Sequence, residues 1–92
     1  MAIERRRVLF GGQVQGVGFR MTARRLASGF AVAGFVRNLD DGRVELVAEG
    51  DPGVLVAFLG AIHREFGDMI RDVEHDPGPA PDEPLAGFTI RH

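Results

Sequence analysis

The stretch Gly12-Gln-Val-Gln-Gly-Val-Gly-Phe-Arg20 joins two segments of different periodicity and constrains how they meet. Before it, Val8-Leu9-Phe10 is apolar on both faces, as in a central strand, and the strand-like reading extends over residues 4–14. After it, Phe19, Ala23, Leu26, Ala27 and Phe30 fall on one face of a helix read over Phe19–Ser28. A strand must therefore pass into a helix through a glycine-rich loop, about Gln15 to Gly18. Glycine lets the backbone approach a ligand closely, and successive inward N–H groups form an anion-binding concavity. A helix N-terminus adds free donors and a favourable dipole. That dipole disfavours Arg20 as a mere helix-start cation, but its planar fork suits a phosphate face. The loop is no Walker A motif, because it lacks Lys, nor a dinucleotide fingerprint, because Met21 occupies the third small-residue position. Gly16 and Gly18 also fit plain turn glycines, so the loop alone leaves both readings open.

The rest of the chain supplies further elements in alternation. Gly29 is placed to end the first helix in a left-handed conformation. A second strand is expected over 32–39, an Asp40-Asp41-Gly42 turn, and a third strand over 43–49. In that third strand Val44, Leu46 and Ala48 alternate with Arg43, Glu45 and Glu49, a pattern for one buried and one wet face. Asp51-Pro52 reads as an N-cap and first helical residue. Leu55, Phe58, Leu59, Ile62 and Phe66 make the second apolar stripe, which Gly67 stops. A strand around Met69–Glu74, a proline-rich surface loop over 76–84 and a last strand over Gly87–Arg91 follow. The core is expected to draw on Phe19, Leu26, Phe30, Leu55, Phe58, Leu59 and Ile62, leaving His63 and His75 exposed.

The order β-α-β-β-α-β plus a short extra strand is that of an α+β, ferredoxin-like split βαβ fold. Two helices should cover one face of a mostly antiparallel sheet, with the other face partly open to water. Ninety-two residues suit a single domain, 1–92, with a small core. The chain has no cysteine, which excludes disulfides and thiolate chemistry, and the His residues show no metal-ligand spacing. No apolar run reaches membrane-spanning length and the N-terminus lacks a signal-peptide core, so a cytoplasmic location is the expectation. Net charge is −2, but six of the eleven Arg fall in residues 1–25 against one acid, Glu4. That basic quarter suits a small anion, while the acidic remainder disfavours nucleic acid. Arg5-Arg6-Arg7 reads as a solvated edge.

Three motifs in order give the sequence its specific resemblance: Gly12…Arg20, then Gly34-Phe-Val-Arg-Asn38, then Asp41-Gly-Arg-Val-Glu45, followed by Glu49-Gly50. Together they resemble the acylphosphatase family, over essentially the whole chain. Phe35 stands where Trp is common, and Gly67-Asp68 replaces a Gly-Pro pair often found after the second helix. The resemblance implies hydrolysis of acyl phosphates to a carboxylate and inorganic phosphate. It implies that the loop Gln15, Gly16, Val17, Gly18, Phe19 and Arg20 binds the phosphoryl group, with catalytic roles for Arg20 and for Asn38, which would orient the attacking water. Taken alone, Asn38 also fits a turn former leading into Asp40-Asp41-Gly42.

Neither the loop nor Asn38 offers a base, since an Asn amide does not ionise near neutrality. An acyl phosphate has a good leaving group, and phosphoryl transfer can proceed by positioning and charge stabilisation. The water proton would then pass to a phosphate oxygen of the substrate. No metal and no cofactor is expected; inorganic phosphate is the expected competitive inhibitor, and the chain is expected to be a monomer. The competing reading is a non-catalytic ferredoxin-like binding module, for single-stranded RNA through an aromatic such as Phe35, or for carbamoyl phosphate as in the N-terminal part of larger hydrogenase-maturation proteins.

Overall fold

The computed structural model describes residues 3–75 and 82–92. Its elements run β1 (Glu4–Gly12), α1 (Phe19–Ala27), β2 (Ala33–Asn38), β3 (Val44–Gly50), α2 (Pro52–Phe66), a 3-10 turn (Gly67–Met69), β4 (Ile70–His75) and β5 (Phe88–Arg91). The strands form one sheet in the order β4-β1-β3-β2-β5. β3 pairs antiparallel with β1 and β2, β4 pairs antiparallel with β1, and β5 pairs parallel with β2. β3 thus splits the β1-α1-β2 unit, as the element order requires of a ferredoxin-like fold. Of the proline-rich loop, residues 76–81 lie outside the described residues. No described helix is long and apolar enough to cross a membrane.

The strand faces follow the period of two. Val8 and Phe10 of β1, Val36 of β2, and Val44, Leu46 and Ala48 of β3 point toward the helices and are buried. Against them pack Phe19, Ala23 and Ala27 of α1 and all five stripe residues of α2. Leu26 and Phe30, expected in the core, are only partly buried at its margin. Both helix ends of α2 are as its sequence dictates: the Asp51 carboxylate accepts from Gly53 N–H at 2.9 Å, and Gly67 takes φ +50°. The end of α1 differs. Gly29 is not left-handed. Instead the amides of Ser28, Gly29 and Phe30 bond back three residues, to Arg25, Leu26 and Ala27, so the helix tightens rather than being capped. Gly11-Gly12 marks a register irregularity in the β1–β4 pairing, and a Cβ at Gly12 would lie 2.4 Å from the Met69 carbonyl oxygen.

The second sheet face is partly open to water, as expected, but more enclosed at its centre than the β3 alternation implies. Glu45 is 2% exposed and Val47 and Phe35 are equally enclosed. The cause is the strand order. β1 is interior, so Arg5 and Arg7 do not form a solvated edge but reach across to β3. Arg7 donates to Glu45 at 2.6 Å, Arg37 donates to the other carboxylate oxygen, and Arg5 pairs with Glu49 at 3.0 Å. The Arg91 guanidinium lies 3.8 Å above the Phe35 ring, held there by two bonds to the Glu83 carboxylate. The long arginine stems shield the apolar side chains beneath while their charges meet carboxylates.

Burial alone would raise the Glu45 pKa, but the hydrogen bonds from Arg7 and Arg37 outweigh it and the carboxyl is held below its ordinary value of 4.5. A carboxylate with a depressed folded pKa stabilises the fold fully above its unfolded pKa and ceases to do so as pH falls through the folded value. Glu45→Gln should therefore cost about 1.5–3 kcal/mol in urea unfolding at neutral pH. Between pH 4.5 and the acid limit the variant should lose stability less steeply than the native chain; equal acid slopes would remove the role assigned to this charge.

Candidate active site

The loop between β1 and α1 is fixed at both ends by burial. Val14 is 1% exposed and Phe19 is 2% exposed. The Phe19 ring stacks on Phe66 at a centroid distance of 4.3 Å and tilts against Phe10 at 5.2 Å. Between these anchors the chain must turn sharply, and Gly16 and Gly18 do so with φ of +76° and +77°. Both are in the left-handed region that L side chains rarely adopt, and the space where a Cβ would stand is open.

Gly18 is also the N-cap of α1, and no side chain caps it. The first helical turn contains no acidic residue. Orphan N–H donors and the positive end of the helix dipole are therefore left facing the loop. The cavity there, about 150 Å³, is lined by Val14, Gly16, Gly18, Phe19, Arg20, Met21 and Asn38. Sequence reasoning expected Arg20 and Asn38 in one site, and the fold brings both to this cavity. Gln15 and Val17 do not line it with the others, and Val17 is exposed.

Asn38 arrives from a different part of the fold. It is the last residue of β2 and sits opposite Val44 across the hairpin. Its side-chain amide makes no hydrogen bond among the described residues, so it is available to a ligand. The hairpin beyond it is closed by Leu39 N–H to the Arg43 carbonyl at 2.8 Å and Gly42 N–H to the Leu39 carbonyl at 3.2 Å. Gln15 ties this hairpin to the loop. Its Nε2 donates to the Leu39 carbonyl at 2.7 Å and to the Arg43 carbonyl at 2.9 Å. That brace is the residue role sequence reading did not find: Gln15 was expected to serve through its backbone, and its side chain instead sets the distance between loop and hairpin.

Arg20 is half-buried and pairs with no carboxylate among the described residues. Its Nη1 donates to the Arg91 carbonyl at 3.3 Å and lies 3.2 Å from Nδ1 of His92. The end of β5 thus steadies the guanidinium without neutralising it, which leaves its remaining donors and its charge for an anion. Nothing in the local sequence signals this contact, because 71 residues separate Arg20 from Arg91.

The acylphosphatase family model matches residues 6–90 of the chain. The chain belongs to the acylphosphatase family. It is 48% identical to an acylphosphatase of Haloarcula marismortui over 99% of each chain, and 43% identical to one of Pseudomonas aeruginosa over 88% of each. Its fold superposes on the crystal structure of the Bacillus subtilis acylphosphatase with a TM-score of 0.83, at 32% identity, covering 99% of this chain and all of the other. The match includes the loop, Asn38 and residues 88–90 of β5, so every residue that lines the cavity falls within it.

Because Leu39 and Arg43 carbonyls each keep a second donor, Gln15→Ala should cost only about 1–2 kcal/mol of stability by urea unfolding. The effect on turnover should exceed what that loss of stability explains, since the loop and Asn38 lose their brace; wild-type turnover in a destabilised variant would show the brace to be purely structural.

Proposed function

We propose that this chain hydrolyses acyl phosphates, mixed anhydrides of a carboxylic acid and phosphate, in the cavity between the 15–20 loop and Asn38. The observation that carries this reading is the convergence, on one cavity, of an uncapped helix N-terminus, an unneutralised Arg20 and an unpartnered Asn38 amide. The first two fit a phosphoryl dianion; the third fits a water.

In this reading the backbone N–H groups of the loop and the first helical turn, with Arg20, surround the phosphoryl oxygens. Their hydrogen bonds tighten as charge accumulates on the equatorial oxygens. The Asn38 side-chain oxygen accepts from a water and directs its lone pair at phosphorus. The water oxygen forms the new P–O bond, and the bond between phosphorus and the carboxyl oxygen breaks. The leaving carboxylate keeps that electron pair, and one water proton passes to a phosphoryl oxygen. No protein base is required, which agrees with a cavity whose lining holds no carboxylate, His or Cys. No three His, Asp or Glu side chains converge to hold a metal among the described residues, and the proposed reaction is metal-independent. Inorganic phosphate, as the product occupying the same donors, inhibits competitively.

The cavity is completed within one chain, and the exposed large apolar side chains, Ile3, Val17, Met21, Val56 and Met69, come from separate elements. These features support a single catalytic unit, 1–92, acting as a monomer; a cytoplasmic location is part of the same reading. The RNA-binding alternative is not favoured, because the Phe35 ring is 2% exposed and already covered by Arg91, leaving no face on which a base could stack.

Hydrolysis of benzoyl phosphate, with and without EDTA, tests the proposal. Turnover unchanged by EDTA is expected, and a folded chain without turnover would overturn the activity. Arg20→Ala should weaken inhibition by phosphate about tenfold or more and lower kcat/KM about 10²–10³-fold. Asn38→Ala should lower kcat about 10²-fold and leave phosphate inhibition intact; full activity in that variant would remove the water-orienting role.

A further inference from the structure

A second, larger groove runs along the outer side of α1 beside the edge strand β5. It encloses about 540 Å³ and is lined by Arg20, Met21, Arg24, Phe88, Ile90 and the flanking Thr89 and His92. It shares Arg20 and Met21 with the phosphate-sized cavity, so the two adjoin at these residues. The geometry points to this groove as the site for the acyl half of the substrate, and to Arg24 as the residue that selects acyl groups carrying a second negative charge. The inference rests on the acyl phosphatase reading above and specifies its substrate class.

Three observations support it. First, a phosphoryl group seated at the helix N-terminus leaves its acyl substituent outside the smaller cavity, and the groove opens beside it. Second, the lining is divided. Met21, Phe88 and Ile90 offer apolar contact to a short carbon chain, and Met21 is 65% exposed. The arginines of the lining are Arg20 and Arg24, and no Asp or Glu lines the groove. Third, Arg24 has no ion-pair or hydrogen-bond partner among the described residues. Its neighbour Arg25 pairs with Glu65 across the helices, and the arginines of the sheet face meet Glu45, Glu49 and Glu83.

Arg20 and Arg24 are four residues apart, so they lie on the same face of α1 about one turn, or about 5–6 Å, from each other. Two unneutralised guanidinium groups at that spacing match an anion at each end of a short chain: the phosphoryl group at Arg20 and a carboxylate or phosphate at Arg24. A monoacyl phosphate of a four-carbon dicarboxylic acid spans this distance. Its uncharged counterpart, with a terminal methyl group, fills the apolar part of the groove but leaves Arg24 without a partner.

The test compares succinyl phosphate with butyryl phosphate, using acetyl phosphate as a substrate too short to reach Arg24. The native chain should show at least tenfold higher kcat/KM for succinyl than for butyryl phosphate. Arg24→Gln should abolish that ratio while leaving acetyl and butyryl phosphate hydrolysis unchanged. Arg25→Gln, a neighbouring loss of charge outside the groove, should preserve the ratio. Absence of a preference in the native chain, or a preference that survives Arg24→Gln, overturns the assignment. Calorimetric binding of the non-hydrolysable succinyl and butyryl phosphonates gives the same comparison without turnover. If no acyl phosphate is hydrolysed, the activity fails; if the succinyl phosphonate nevertheless binds at least tenfold tighter and Arg24→Gln removes the difference, the groove stands as a binding site for acyl phosphonates that carry a terminal carboxylate. Equal phosphonate affinities overturn it.

Discussion

The site depends on the burial of one ring at the start of α1. Phe19, stacked on Phe66 and tilted against Phe10, is at once the first residue of the helix and part of the core. Burial of a Phe side chain is worth about 1.5–3 kcal/mol, so the helix start cannot drift without a comparable loss. With Phe19 turned inward, the residue after it must leave toward the cavity, and the loop before it must reverse within a few residues. The left-handed glycines at 16 and 18 accommodate that reversal. A capping side chain at Gly18 would satisfy one of the free N–H groups; its absence keeps them available to a ligand. Core packing thus holds open a concentration of donors that isolated loop residues could not maintain.

Charge is distributed to the same end. On the sheet face away from the helices, arginines and carboxylates neutralise one another: Arg7 and Arg37 on Glu45, Arg5 on Glu49, Arg91 on Glu83. The buried Glu45 is the most consequential of these, because an enclosed carboxylate without its donors would be costly. On the α1 side, Arg20 and Arg24 are left without carboxylates among the described residues. A chain with net charge −2 therefore presents a local positive field where an anion is to be bound, and spends most of its remaining cations on its own acids. β5 links the two regions. The Arg91 side chain covers Phe35 on one side of the sheet while its carbonyl accepts from Arg20 at the site.

Much of this was legible in the residues. The two helical stripes, the Asp51 cap, the Gly67 stop and the strand alternation identified both α-helices and all five strands of the described sheet, with ends within two residues, but not the 3-10 turn over Gly67–Met69. The motifs around Arg20 and Asn38 pointed to one site, and the family match spans both. What misled was pattern without topology. Alternation in β3 implied a wet face, and three consecutive arginines implied an edge; both fail because β1 and β3 lie in the interior of the sheet, where Arg5 and Arg7 have acidic neighbours within reach. Gly29 carried a common helix-ending signal, yet the helix closes by tightened backbone bonds instead.

By itself the sequence determined which segments are helix and strand and which residue types carry the chemistry, because periodicity, capping and glycine placement act over a few residues. Only the tertiary structure decided that the Gln15 side chain braces the hairpin of Asn38, that the end of β5 steadies Arg20, and that Arg24 lines a groove adjoining the cavity. These contacts join residues 24 to 71 positions apart, or elements remote in the chain, and no local preference encodes them. They follow from the order in which the strands pair and from the helices packing on the single face that offers a continuous apolar surface.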